Sequence, residues 1–471
     1  VFNFPSRQDY PLRRAINKHL EGSRCRFHVP SHRTGWACNQ REMFDLTELE
    51  GLDNLFKPSG AIEESQKIAA EVFKADETYY LVNGSSAGLI AAIWSYCRPG
   101  DKVLLGRNVH RSVITGLVLS GAIPFFMPVE EHIAGIPLNI KVEAVEALLS
   151  EVSAPRAFIV TSPSYWGITP HLAGLREVTQ KRRIPLLVDE AHGGHFIFHK
   201  DFPASASLCQ ADLWVNSAHK TLGALTPGAF LHQKGTDNNN ERLKHALSMF
   251  QTSSPPYPVL ASLERICHEG SVGWEEAIQL SSYMRQQIFH MKGFSCLQPD
   301  MLSEEFSLDP LRLTIIIDRI SLTGFQVSAL LRDKYEIEVE FSGPNYLILI
   351  IHPQHRWEHI NILIKALNEL ENDYSSSQTL MSFQNKYEIP ELVMTPREAS
   401  EGRWQEVSLK NAVGCVSAVT VVPFPPATPI LIPGELISAE LVEKVWEDYK
   451  HGSFFLGIGE APSFQIMVVK E

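Results

Sequence analysis

Ser217-Ala218-His219-Lys220 sets a lysine beside a hydroxyl and an imidazole, directly after the short apolar run Leu213 to Val215. Such a run reads as a buried strand, so Lys220 falls at a strand end. An amine there condenses with an aldehyde only when unprotonated, and so needs surroundings that lower its pKa. That is the chemistry of a Schiff-base lysine. Upstream, Leu186-Leu187-Val188 ends in Asp189, at the carboxyl edge where open α/β sheets bind ligands. A carboxylate so placed can keep a pyridine nitrogen protonated, which makes the ring an electron sink. Ala191 is small enough for a flat ring to lie over it, and His192 follows.

Two further stretches complete a constellation. Asn83-Gly84-Ser85-Ser86-Ala87-Gly88 lies between a strand-like run and a helical one. Small residues let backbone N–H groups approach an anion, hydroxyls add donors, and a helix N-terminus adds a favourable dipole. Its spacing is neither a Walker loop nor a dinucleotide fingerprint. Asn108-Val109-His110-Arg111-Ser112 follows the apolar run Val103–Leu105 and offers an imidazole that could stack on a planar cofactor. Taken singly, each stretch has a plain reading: a surface lysine, a helix cap, a tight turn, a helix-start histidine. Together, in this order, they are the pattern of a fold-type-I pyridoxal-phosphate enzyme.

Regular elements must hold these residues. Helical spacing of Ala61, Ser65, Ile68, Ala69, Val72 and Phe73 predicts a helix, and another is expected over Leu12 to Leu20. Strand-like runs occur at Thr78–Val82, Val103–Leu105, Ile123–Met127, Ala157–Thr161, Leu186–Val188, Leu213–Val215 and Ala229–His232. Thr169-Pro170 is a good helix start, and Leu89 to Tyr96 reads as a helix. Short apolar strands alternating with helices predict an α/β fold with a mostly parallel sheet. After about residue 300 the texture becomes that of a smaller α/β unit, and Asp373 to Gln378 is the most linker-like stretch. The expected divisions are an N-terminal helix and arm over 1–45, a large domain over 46–300, a small α/β domain over 301–373, and a linker with C-terminal domain over 374–471. The arm carries His28, His32 and Arg33, and its functional reading is a segment laid over an active-site mouth.

The totals exclude several classes. Lys+Arg 42 against Asp+Glu 54 gives a net charge of −12, which disfavours a nucleic-acid or anionic-membrane partner. The seven cysteines are scattered without any Cys-x-x-Cys, so neither a zinc knuckle nor a disulfide framework is indicated and no metal is expected. Reduced thiols and the lack of a signal-peptide pattern or membrane-length apolar run fit a cytoplasmic protein.

At these residues the chain resembles the ornithine/lysine/arginine decarboxylases of the bacterial, aspartate-aminotransferase-like type. The resemblance runs through Asp45 to Leu55, Leu81 to Ser86, Arg107 to Val113, Val188 to Gly193, Ser217 to Leu222, Gln251 to Pro255 and Pro425 to Glu435, nearly the whole chain. It implies that Lys220 joins the aldehyde of pyridoxal 5'-phosphate, that Asp189 pairs with the pyridine nitrogen and that His110 stacks on the ring. Gly84, Ser85, Ser86 and Ser217 would bind the phosphate with His219 nearby, and Ala191 and His192 would lie near the ring. Thr252 and Ser253 resemble the segment that reaches a neighbouring subunit's phosphate, which implies a homodimer with shared sites, or a dimer of such dimers. The implied reaction is decarboxylation of arginine, lysine or ornithine, with arginine preferred by analogy to short relatives. Electrons left by departing CO2 would enter the pyridinium, and Lys220 or an imidazole would return a proton to the α-carbon.

The distal cation of such a substrate needs a carboxylate. Glu435 leads, because the proline-bounded turn would hold it rigid; Asp53 and Glu460 are further candidates, and His32 of the arm is a further substrate contact. Two stretches depart from the family pattern: Phe56-Lys57-Pro58-Ser59-Gly60 stands where many relatives carry histidines, and Pro425 to Pro429 lacks the usual glycine. The chain begins without the extra N-terminal domain of the longest relatives, so the large assemblies built by that domain are not expected. Competing readings are another fold-type-I enzyme (an aminotransferase, aldolase or acyl-condensing enzyme), a catalytically silent regulator and, more weakly, a nucleotide binder.

Overall fold

The structure is a computed structural model that describes residues 10–22, 45–132, 135–235, 240–376, 388–424, 428–461 and 464–470. Two compact units are formed: Val1–Tyr96, Pro185–Lys200 and Ala204–Val272 make the first, and Cys97–Ile184, Asp201–Pro203 and Gly273–Glu471 the second.

In the first unit, strand Leu213–Asn216 runs parallel to Leu186–Asp189 with Val215 opposite Asp189. Its other edge pairs antiparallel with Ala229–Gln233, which in turn pairs antiparallel with Glu77–Leu81. Every residue of the two parallel strands is buried. That accounts for their unbroken apolar texture, since a strand covered on both faces has no solvent side to mark with polar residues. Burying side chains such as Leu213, Trp214 and Val215 contributes roughly 1.5–3 kcal/mol each. The strand Glu77–Leu81 is finished by side chains, because Gln66 accepts from Tyr80 N and Gln251 from Val82 N, both at 2.9 Å.

Helix Gly84–Tyr96 lies on these strands. A Cβ added to Gly88 would stand 2.5 Å from Leu81 Cδ1 and 3.3 Å from Val215 Cγ1, so a larger residue would push the Leu81 side chain aside to keep the helix this close. The helix begins at Gly84 rather than at Leu89, so the expected turn is itself the first helical turn. The helix Pro11–Gly22 is capped from a distance: the buried Glu264 carboxylate, on helix Tyr257–Glu269, accepts from Leu12 N at 2.8 Å and Arg13 N at 3.0 Å.

In the second unit, strand Lys102–Gly106 runs parallel to Ile123–Met127 and to Ala157–Thr161. Ile168–Pro170 is a short strand paired with Phe306–Leu308, and the next helix starts at Leu172. Thr169-Pro170 therefore does not open a helix. Thr169 and Pro170 are buried in the strand pair, and a proline without an N–H is tolerated in a short edge pairing as readily as at a helix start. A four-stranded antiparallel sheet, ordered Phe341–Ser342, Tyr346–Ile350, Arg312–Ile317, Phe294–Cys296, follows later in the chain. The C-terminal segment pairs Trp404–Ser408 with Gln465–Val469 and closes a core of Ile430, Leu431, Ile437, Val445, Phe464 and Ile466. Among the described residues no helix is long and apolar enough to cross a membrane.

Candidate active site

The first unit brings most of the expected residues to the carboxyl ends of its two parallel strands. Asp189 is 3% exposed, and its Oδ1 accepts from Ala191 N at 3.2 Å. One strand over, Ser217 ends Leu213–Asn216 and stands at the N-cap of the short helix Ala218–Thr221. Lys220 lies on that helix, and its Nζ is 3.1 Å from His192 Nε2. An imidazole at that distance can take the proton an amine nucleophile must lose.

A hydroxyl pair marks the anion cradle. Ser85 Oγ and Ser217 Oγ are 2.7 Å apart and both residues are buried. Ser85 and Ser86 sit in the first turn of helix Gly84–Tyr96, where backbone N–H groups have no helical acceptor. Gly84 has φ of +78°, a left-handed backbone that favours glycine. His219 Nδ1 donates to Gly228 O at 3.0 Å, which fixes the proton of the neutral ring on Nδ1, and burial lowers its pKa. Thr252 N donates to Asn83 Oδ1 at 3.0 Å, so the Thr252-Ser253 segment is tethered to the strand end that leads into Gly84, with Ser253 exposed.

These donors fit pyridoxal phosphate on the structure's own terms. Buried hydroxyls and a helix N-terminus suit a phosphate, a strand-end carboxylate suits a pyridinium, and an amine beside an imidazole suits an aldehyde. Thr221 Oγ1 is a buried hydroxyl without a hydrogen-bond partner among the described residues, and Ala191 is the small residue between Asp189 and His192.

Sequence reasoning missed the brace behind this site. Asn216 Nδ2 donates both to Glu190 O at 3.0 Å and to Glu190 Oε2 at 2.9 Å, while Glu190 Oε1 accepts from Ala206 N at 2.7 Å. The two strand ends are thereby tied together, directly after Asp189 on one strand and directly before Ser217 on the other. A polar Asn216 closing an otherwise apolar strand was the available signal.

His110 belongs to the second unit. It caps helix Arg111–Ser120, where its Nδ1 accepts from Ser112 N at 3.2 Å and lies 2.8 Å from Ser112 Oγ. Two expected substrate carboxylates are otherwise engaged. Glu435 is fully buried and pairs with the Arg107 guanidinium through two bonds, Nη1–Oε1 2.6 Å and Nη2–Oε2 2.8 Å, and Oε2 also accepts from Ile432 N. Burial pushes its carboxyl up and Arg107 opposes that shift. Asp53 accepts from the N–H groups of Asn54 and Ser59 on one oxygen and of Gly60, Ile62 and Glu63 on the other, sealing the start of helix Ala61–Phe73. Burial pushes the Asp53 carboxyl up, but these donors outweigh it and hold the group below its ordinary value. Neither carboxylate is left to meet a substrate cation, which corrects both expectations. Glu460 is exposed in the second unit, and His32 lies outside the described residues. No cluster of three or more His, Cys, Asp or Glu suited to a metal occurs among the described residues.

Comparison with known proteins follows the same lines. The family model "Orn/Lys/Arg decarboxylase, major domain" matches residues 10–358, and its C-terminal-domain counterpart matches 378–449. An arginine decarboxylase of Bacillus subtilis (strain 168) is 33% identical over 99% of both chains, and one of Bacillus anthracis is 32% identical over 99% of this chain and 98% of its own. The constitutive lysine decarboxylase of Escherichia coli (strain K12) is 21% identical over 91% of this chain and 76% of its own. Among solved structures, the Francisella novicida lysine decarboxylase superposes with a TM-score of 0.84 at 22% identity, covering 98% of this chain and 81% of that one.

Proposed function

The chain belongs to the Orn/Lys/Arg decarboxylase family, and from that premise we propose that it converts arginine to agmatine and CO2. It is a pyridoxal-phosphate-dependent decarboxylase of a basic amino acid. Arginine is favoured within that class by the full-length relatives named arginine decarboxylases, which share more identity than the lysine decarboxylases do.

The observation that carries the site assignment is the Lys220 amine held 3.1 Å from the His192 imidazole, one strand from Asp189. When bound, pyridoxal phosphate supplies an electron sink for the pair left by departing CO2. Asp189 would hold a proton on the ring nitrogen, and its burial would make that pairing count for more than it would in water. Ser85, Ser86 and Ser217 would hold the phosphate together with the helix N-terminus, and His219 would join them. His192 would take the proton that the Lys220 amine must lose, and that proton would return to the α-carbon either directly from the imidazole or through Lys220. His110 would stack on a face of the ring. Thr252 and Ser253, tethered at Asn83, serve the phosphate of a second copy, so a homodimer with shared sites is the minimum assembly. A cytoplasmic location fits the scattered cysteines, which contain no Cys-x-x-Cys.

Incubation with arginine, lysine and ornithine in turn, with the amine product identified, tests the reading. Agmatine from arginine is expected, at a kcat/KM at least tenfold above the other two. Cadaverine or putrescine as the faster product would move the substrate, and a keto acid would refute decarboxylation. Lys220→Ala should abolish turnover, and Asp189→Asn should lose several orders of magnitude. Normal turnover by Asp189→Asn would refute the role given to that carboxylate.

A further inference from the structure

The helix Arg111–Ser120, which opens on His110, is held at its last turn, and the strand end leading into it is held too, by side chains of the C-terminal segment. Before its start, Arg107 follows the strand Lys102–Gly106, and its guanidinium lies 4.5 Å from the centroid of Phe126. That guanidinium meets both oxygens of Glu435 in a buried, parallel pair. At the far end, Arg397 Nε donates to Val118 O at 3.0 Å and Arg397 Nη2 donates to Leu119 O. The last carbonyls of a helix have no internal donor, and a cation there also suits the helix dipole. Gly121, the left-handed C-cap, leaves room for this: a Cβ on it would stand 2.9 Å from Arg397 Nη1.

The two grips form one piece. Val393 N and Met394 N both donate to Gly434 O, at 3.0 and 3.2 Å. A Cβ on Gly434 would lie 2.2 Å from Met394 O, so the residue before Glu435 is pressed onto the backbone that leads into helix Pro396–Glu401. Glu435 and Arg397 are therefore joined by one stretch of backbone, the first reaching Arg107 ahead of His110 and the second the last turn of its helix.

We propose that the C-terminal segment is a clamp on this helix, with Glu435 and Arg397 as positioning residues that fix the His110 imidazole and thereby set cofactor affinity. The proposal rests on the stacking role given to His110 above. Neither residue touches the reacting atoms. Their effect passes through the placement of one ring.

Two readouts test it separately. Hydrogen exchange over residues 107–121 of the apo full chain reads the clamp without any cofactor. Arg397→Gln and Glu435→Gln should each speed exchange there about tenfold, with Arg397→Lys recovering part of it. Arg397 is partly exposed, so its variants fold even if loss of the buried Glu435 charge does not allow it. Titration with pyridoxal phosphate reads the consequence: Arg397→Gln should weaken binding about three- to tenfold, and His110→Ala at least as much. In the His110→Ala background Arg397→Gln should add nothing. Unchanged exchange in folded Arg397→Gln, or an equal loss of affinity with and without His110, overturns the proposal. If His110→Ala binds the cofactor like the parent while exchange responds, the clamp stands and the stacking role falls.

Discussion

Glu190 and Glu435 are two buried glutamates, 2% and 0% exposed, and they stand against different partners. Glu190, in the first unit, accepts from a backbone N–H and an asparagine amide, both neutral. Burial therefore dominates, and its carboxyl is pushed up to about 8. At neutral pH it largely keeps its proton and braces the ends of the strands that carry Asp189 and Lys220 as an uncharged group. Glu435, in the second unit, meets the guanidinium of Arg107. There the charge is matched at two points, and the pair joins the C-terminal segment to the strand before His110. The same side chain makes a neutral brace or an ionic one according to whether its donor brings a charge. The neutral brace lies beside Asp189, between the ends of the two parallel strands, and the ionic brace lies at Arg107, ahead of His110.

The sharpest way to break this contrast is to remove one partner from each brace. Glu435→Leu strands a buried guanidinium, which costs about 3–5 kcal/mol. Urea denaturation should show that loss, and Glu435→Leu combined with Arg107→Met should recover most of it, because no unpaired charge remains. A double variant as unstable as the single one would mean that packing, not charge pairing, dominates the site.

Glu190 should instead reveal itself through pH. Its folded pKa is raised from the model-peptide value of 4.5 to about 8. The unfolded chain ionises first, so this group's contribution is complete below about pH 4.5 and is lost as pH rises toward 8. The slope is at most about 1.4 kcal/mol per pH unit. Glu190→Gln should flatten that limb of the stability profile while leaving the carboxylate-dependent acid limb in place. An unchanged slope between pH 5 and 8 would show that Glu190 is already ionised, and the neutral brace would be lost as an idea.

How far the sequence alone reached depended on distance along the chain. Strands such as Leu213–Asn216 were legible because burial on both faces writes a continuous apolar run. The Lys220, Asp189 and Ser217 group was legible because each stands at the end of such a run or within one short turn of it. The turn at Gly84 was placed in the right residues but read too long, since the helix already begins at Gly84 and Gly88 packs within it rather than in an open loop. Thr169-Pro170 misled because a helix start and an edge strand make the same local demand for a missing N–H. Glu435 misled for a different reason. Its rigid turn was readable, but its partner Arg107 lies 328 residues away, and no local pattern announces it. Asp53 likewise caps a helix whose first residue comes eight positions later, beyond the reach of the usual capping spacing.

The smallest effect worth measuring is at the clamp's own support. Thr395 caps the six-residue helix that carries Arg397: its Oγ1 accepts from Glu398 N at 3.2 Å, and Glu398 Oε2 accepts from Thr395 N at 3.0 Å. Thr323 makes the same reciprocal box with Gln326 at the start of Gly324–Tyr335. Replacing either threonine by alanine should cost about 1 kcal/mol, because each loses one cap acceptor for an orphan N–H. Exchange near the His110 helix separates them. Thr395→Ala loosens the base from which Arg397 reaches Val118 and Leu119, so amides at 118–121 should open more often. Thr323→Ala should leave those amides unchanged at equal loss of stability. Equal responses would mean that the His110 helix senses only global stability, and that the C-terminal segment holds it no more specifically than the rest of the fold does.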